Sequence, residues 1–290
     1  MRPAVLPLVL LLLLAACAGA PPPLADSTDR GDAWADVQAA GEGTVTVLYV
    51  PAEGFAYRDA DGRLTGVTVQ IMRLFADWLA AERDVRLALN FVEEENWTVF
   101  YNRVRDASGG VFGLGTVTIT EARRDELQFS SPYLTNVAVL ITHENTPELP
   151  SLDELGDVFA GLTPLAFAGT LHETRLRAIR DAHKPAADLA TATSNTEIVE
   201  RVASGGYFAY VDAYNFYRAA EAGAPLRRHP AGDDPGERFG IIMPLDADWA
   251  QPLEAFFAHD GGFRQSPQYR ALLVEHLGEG VARALEAAAE

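Results

Sequence analysis

The stretch Thr116-Val-Thr-Ile-Thr-Glu-Ala-Arg-Arg124 concentrates hydroxyls, a helix start and guanidinium groups. It predicts a buried strand that ends in threonines and opens a helix carrying arginine in its first turn. Hydroxyls and free backbone N–H groups then gather at a helix N-terminus, where the partial charge is positive. Arg123 adds a planar fork that matches a carboxylate with two hydrogen bonds. The chemistry is capture of a small carboxylate. Standing alone, the same pattern describes a capped helix with a surface arginine. Phe129-Ser-Ser-Pro-Tyr133 follows closely and reads as the approach to a hinge.

These residues need a frame to hold them. Thr44 to Val50 alternates as a strand. Leu64 to Val69 is strand-like and leads into a helix from Ile71 to Ala81, with Ile71, Leu74, Phe75, Trp78 and Leu79 on one face. Val85 to Val92 is a second core strand, Trp97 to Arg105 a helix and Gly110 to Ile119 a strand. The same grammar returns: a helix at Leu152 to Phe159, a strand at Pro164 to Phe167 meeting Gly169-Thr170, and a helix from Leu171 to Ala182. Thr196 to Ala203 is helical, Tyr207 to Val211 a strand, and Phe239-Gly-Ile-Ile-Met-Pro a strand again. The C-terminal region is helical. Strands alternating with helices imply an α/β sheet covered on its faces. Two similar halves imply two lobes, with crossings near Leu134 to Leu140 and Gly236 to Ile241, and clefts between lobes are preferred ligand sites.

The chain has 290 residues and a formal net charge of −18. An acidic surface of this size argues against nucleic acid and against a basic membrane-binding face. At the N-terminus, Arg2 precedes an apolar run from Val5 to Ala16 that is too short for a permanent membrane helix. The run ends Leu14-Ala15-Ala16-Cys17, which resembles the bacterial lipobox and marks Cys17 for lipidation. Cys17 is the only cysteine, so no intramolecular disulfide can form. Residues 18–41 read as a flexible tether, with Ala33 to Ala40 able to form one or two helical turns. Arg30-Gly31-Asp32 matches the adhesion tripeptide only by coincidence.

Catalytic patterns are sparse. No nucleophile elbow, P-loop or dinucleotide glycine pattern occurs. The histidines are scattered and none forms H-E-x-x-H, so neither a metal site nor a cofactor is expected. His172-Glu173, near Thr170, is the one pair that offers an acid and a base.

Thr118-Ile-Thr-Glu121 with Arg123, and Phe129-Ser130 with Pro132-Tyr133, resemble the family 3 extracellular solute-binding proteins, the amino-acid receptors of ABC importers. Gly66-Val-Thr-Val-Gln-Ile, Ser151-Leu-Asp-Glu-Leu-Gly, Ala168-Gly-Thr170 and Phe239-Gly-Ile follow in family order. The resemblance implies a two-lobed α/β fold of the type II periplasmic-binding-protein class, each lobe a mixed sheet flanked by helices. Lobe 1 is expected over 42–138 plus 239–290, lobe 2 over 139–238, and the lipoprotein signal peptide over 1–17. It also implies site roles. Arg123 clamps the ligand carboxylate, helped by Thr118. Thr116 accepts from the ammonium through its carbonyl. Thr170 gives a backbone N–H to the carboxylate, Asp212 pairs with the ammonium, and Phe55 covers the ligand side chain. The implied partners are a free amino acid, an ABC permease and a membrane reached through the lipid anchor; a sensory module without transport and a periplasmic dehydratase are the alternatives. Tyr57 and Trp97 are read as packing residues and Glu53 as a surface glutamate. The chain departs from many relatives in carrying Gln70, Phe112 and Phe208 where they carry aspartate.

Overall fold

The computed structural model describes residues 29–287; the signal-peptide and Cys17 expectations lie outside them. Its main sheet is built on β1 (Glu42–Tyr49), β2 (Arg86–Glu93), β3 (Val111–Thr118), β4 (Leu134–His143), β5 (Thr163–Phe167), β6 (Ala190–Ala192), β7 (Tyr207–Asp212) and β8 (Asp234–Pro244). These run in the order β6-β5-β7-β4-β8-β3-β1-β2, with Leu127–Phe129 added to β8 and Leu226–Arg228 to β4. The triads β3-β1-β2 and β6-β5-β7 are parallel. Between them, β4 and β8 pair antiparallel with each other and with both triads. Each triad is the centre of one lobe, and the two long strands run from one lobe into the other.

The helices that matter for the site are α1 (Trp34–Ala40), α2 (Val67–Arg83), α3 (Trp97–Arg105), α4 (Glu121–Arg124), α5 (Leu171–His183), α6 (Asn195–Ala203) and α7 (Ala213–Glu221). Trp97–Arg105 forms over the span that its periodicity predicts. Along β4 the side chains alternate between two cores. Ala138 and Leu140 pack with Phe159, Leu176 and Phe208, whereas Val139 and Ile141 pack with Leu165, Ile198 and Val211. A strand buried on both faces is a near-continuous apolar run, and its period of two assigns each residue to a face.

Two local expectations change. The strand expected through Val69 ends at Thr65, and α2 begins at Val67 despite its β-branched residues. The preceding loop supplies the reason. Val67 N–H donates to Gly54 O at 2.9 Å, and both the N–H and the hydroxyl of Thr68 donate to Phe55 O, at 3.0 and 2.8 Å. Gly66 holds φ of 120°, and a Cβ there would lie 2.3 Å from Phe55 O. Tertiary hydrogen bonds to orphan helix donors override a weak propensity.

The tether expected over 18–41 is ordered from residue 29 onward. Arg30–Gly31 pairs with Ser108–Gly109, and α1 buries Trp34 and Val37. Trp34 meets Trp249 edge to face at 5.2 Å. The Asp248 carboxylate accepts from Trp34 N–H and Ala35 N–H at 2.7 and 3.0 Å, filling the capping role that Ala33 cannot. Arg103 clamps Asp29 with two hydrogen bonds, at 2.8 and 2.9 Å. Polar composition hid a segment whose two apolar anchors suffice to dock it.

His229 gives the fold a pH dependence. It is fully buried against Phe159; its Nδ1 accepts from Leu149 N–H at 3.1 Å, and its Nε2 lies 2.7 Å from Thr142 Oγ1. Burial, and secondarily Arg227, lowers its pKa to about 4. A histidine depressed in the folded state contributes stability above its unfolded pKa that is lost as pH falls toward the folded one. Unfolding free energy is therefore expected to drop by about 2 kcal/mol between pH 7 and 5. Urea titrations of the protein and of His229→Gln check this: the substitution should flatten that part of the profile, and an unchanged slope would refute it.

Candidate functional site

A cavity of about 730 Å³ lies between the lobes. Lobe 1 contributes the end of β3, the loop after β1, and the start of α3. Lobe 2 contributes the N-termini of α5 and α6, the end of β7, and α7.

On the lobe 1 wall the pairing of β3 with β8 slips between Gly240 and Ile242. Thr116 sits opposite the slip with φ of 48°, a left-handed conformation rare for a β-branched residue. Such strain persists where surroundings over-determine it, and it clusters at ligand sites. Gly115 beside it packs so closely on Phe100 that a Cβ would fall 2.5 Å from the ring. Past the strand end, Thr120 caps α4 by accepting from Arg123 N–H at 3.2 Å. The guanidinium of Arg123 donates to Thr118 O at 3.0 Å and lies over the Trp97 and Tyr101 rings, at 5.2 and 5.7 Å. No carboxylate forms a salt bridge with it among the described residues. Burial lowers its pKa from the ordinary arginine value, opposed by the charges of Tyr101, Glu237 and Glu126. The group stays a cation and faces the cavity with donors to spare.

On the lobe 2 wall, Asp212 is buried at the end of β7. Its Oδ1 accepts from Asn136 Nδ2 at 2.7 Å and lies 3.1 Å from His172 Nε2. Its Oδ2 has no partner among the described residues. Thr170 precedes α5, but its N–H turns back to Phe167 O at 3.3 Å and its hydroxyl to the same oxygen at 2.8 Å. The expectation that this N–H reaches a carboxylate is therefore corrected. The open donors at that helix end are the N–H groups of Leu171 and His172, without partners among the described residues; both residues line the cavity.

The cavity thus brings together Thr116, Thr118, Arg123, Thr170 and Asp212. It does not include Phe55. The loop after β1 folds back through the Ala52–Ala56 bridge and turns Phe55 into the core, 1% exposed, with its ring 4.6 Å from that of Tyr214. The aromatic wall is made instead by Trp97, Phe167 and Tyr214. Trp97 packs as expected, stacked on the Tyr101 ring at 5.3 Å, and also lines the cavity; its place directly after the Asn96 cap is the signal that puts it at the mouth of α3. Glu53 reaches the cavity edge and pairs across it with Arg218 of α7. The His172-Glu173 acid–base pair does not form. Glu173 turns to Gly169 N–H and Arg177, away from the cavity. Gln70 bonds Thr65, and Phe112 and Phe208 are core residues, so these departures from the family pattern lie outside the cavity.

The model of the bacterial extracellular solute-binding proteins, family 3, matches residues 45–272. The chain belongs to this family. This family 3 solute-binding protein is extracytoplasmic and is classed with non-catalytic binding proteins; no cluster of metal-ligand residues occurs among the described residues. No curated protein matches its sequence. Its fold is similar to that of the arginine-, lysine-, histidine-binding protein ArtJ from Geobacillus stearothermophilus, at 17% identity and a TM-score of 0.63, covering 81% of this chain and 96% of that one. It is similar also to an ABC uptake transporter substrate-binding protein from Streptococcus pneumoniae with bound histidine, at 15% identity and 0.64, covering 85% and 96%. The ancestral amino acid-binding protein AncCDT-1, a precursor of cyclohexadienyl dehydratase, aligns at 19% identity and 0.61, covering 84% and 98%.

Proposed function

We propose that this solute-binding protein captures a free α-amino acid between its lobes and hands it to an ABC importer, held to the membrane by a lipid on Cys17. One observation carries the reading. A guanidinium without a carboxylate partner and a buried carboxylate with a free oxygen stand on opposite walls of one cavity. A zwitterion supplies both missing charges, and neither wall supplies them alone. Breaking a buried pair costs about 3–5 kcal/mol, so closure without ligand is disfavoured.

In this reading Arg123 takes the α-carboxylate with two hydrogen bonds. Thr118 holds the guanidinium through its carbonyl, and the N–H groups of Leu171 and His172 approach from the other lobe, next to Thr170. Asp212 Oδ2 and the Thr116 carbonyl take the ammonium. The ligands named for ArtJ and for the pneumococcal protein, which share the fold, support an amino-acid ligand. The lipobox-like Leu14-Ala15-Ala16-Cys17 after the apolar run supports the anchor; no helix among the described residues is long and apolar enough to cross a membrane.

The test is a thermal-denaturation panel of the twenty L-amino acids, their deamino acids and polyamines. A one-site ligand at about 100 times its Kd should add roughly 2.7 kcal/mol of stability. At least one amino acid is expected to do so. A panel in which simple carboxylates stabilise and no amino acid does would defeat the proposal. For the anchor, Cys17→Ala should move the protein from the detergent phase to the aqueous phase on partitioning; an unchanged partition would remove Cys17 from the account.

A further inference from the structure

The ammonium site continues into the hinge. Asn136 lies on β4 and Glu237 on β8, and they are cross-strand partners where the two lobe-linking strands pair. Both are buried. The Asn136 amide donates one hydrogen to Asp212 Oδ1, at 2.7 Å, and the other to Glu237 Oε2, at 2.9 Å. Carboxylates only accept, so the orientation of this amide is dictated, and it holds although its own Oδ1 is left buried without a partner. Arg175 of α5 donates to Glu237 Oε1 at 2.6 Å, to Asp234 Oδ2 at 2.9 Å, and to His172 Nδ1 at 2.9 Å. Arginine cannot accept, so His172 must carry its hydrogen on Nε2, directed at Asp212 Oδ1, 3.1 Å away. The bonds close a ring: Asp212, Asn136, Glu237, Arg175, His172 and back to Asp212.

The ring has two consequences. Both donors act on the same oxygen of Asp212, which fixes the carboxylate plane and presents Oδ2 to the cavity. Also, Asn136 and Glu237 belong to the strands that must bend or twist if the lobes move, and β8 slips its register between Pro235 and Glu237, at Gly236 with φ of 85°. Motion at that point displaces two of the ring's five members relative to the three held on lobe 2.

Resting on the amino-acid reading above, we propose that Asn136, Glu237 and Arg175 are positioning residues that aim Asp212 at the ligand ammonium and link its occupancy to the hinge.

The experiment compares L-arginine, L-glutamine and L-glutamate with their deamino counterparts 5-guanidinopentanoate, glutaramate and glutarate, by calorimetry on the full protein. The variants are Asn136→Leu, which removes both amide hydrogens and leaves His172 in place, and Glu237→Gln, which keeps the shape and is read in case the first does not fold. The expected result is a loss of roughly tenfold or more for each amino acid that the unsubstituted protein binds, with its deamino counterpart changed by less than about threefold. A merely structural role would weaken amino acid and deamino acid alike. That result, or unchanged affinity in the variants, overturns the inference while leaving the amino-acid reading standing. Failure of the unsubstituted protein to bind any of the three amino acids better than its deamino counterpart overturns the inference together with the assignment of Asp212 to the ammonium.

Discussion

Arg123→Ala is expected to weaken amino-acid binding by about 4 kcal/mol, roughly a thousandfold, without unfolding the protein. Among the described residues, the guanidinium is the one positive group on the lobe 1 wall that faces the cavity without a carboxylate, and it rests on the Thr118 carbonyl and the two rings beneath it. Removing it takes away the cation that holds the ligand carboxylate on this wall, and the remaining cavity arginine, Arg218, is paired with Glu53. Fold stability should respond differently. A partly buried charge without a counter-charge is a cost to the empty protein, as the downward displacement of its pKa by burial indicates. The melting temperature of the unliganded variant should therefore hold or rise. Arg123→Lys tests the fork, because an ammonium keeps the charge but loses the bidentate geometry, and recovery of only part of the affinity is expected. Calorimetry for affinity and scanning calorimetry for stability separate the two effects. Retained affinity in Arg123→Ala would remove this residue from the carboxylate site.

Asp212→Asn is expected to cost the amino acid a similar amount, about 3–4 kcal/mol, and the matched deamino acid almost nothing. The amide oxygen can stay with Asn136 and His172, as Oδ1 does now. The amide nitrogen then occupies the place of Oδ2 and turns a donor toward the ligand ammonium. Loss of a favourable charge pair is compounded by two donors facing each other. The empty protein should not suffer, because Asp212 shares the Asn136 amide with Glu237 and neutralising one carboxylate relieves like-charge repulsion. Competition between an amino acid and its deamino analogue reads the result directly. Equal losses for both ligands would show that Asp212 supports the fold of the cavity and does not meet the ammonium.

Local chemistry explains what could be read before folding. Thr118, Thr120 and Arg123 lie close enough in the chain for strand end, cap and guanidinium to be set by short-range rules, and the cap is found where those rules put it, on Arg123 N–H. Phe55 and Trp97 show where such rules stop. Both are aromatic residues beside a loop, and either could face a cleft. The choice was made by Gly66 and Thr68, whose contacts with Phe55 O pull that loop inward, and by Asn96, which starts α3 at the cavity edge. The same limit applies to α1. Its polar neighbours read as tether, whereas its docking depends on Trp249 and Asp248, more than two hundred residues away.

The sequence by itself determined the alternation of strands and helices, the two-lobed α/β class, the family, and the charged groups that could meet a zwitterion. The alternation rests on periodicity and caps, the family on motifs spanning a few residues, and the pairing of Asp212 with an ammonium on what that resemblance implies. Tertiary structure alone decided which aromatic residues wall the cavity, which N–H groups at the start of α5 remain open, and that Asp212 is held by Asn136 and His172. Those outcomes depend on partners from separate strands and helices arriving at one point. Hydrogen-bond satisfaction in a buried site is settled only when every donor and acceptor around it is in place.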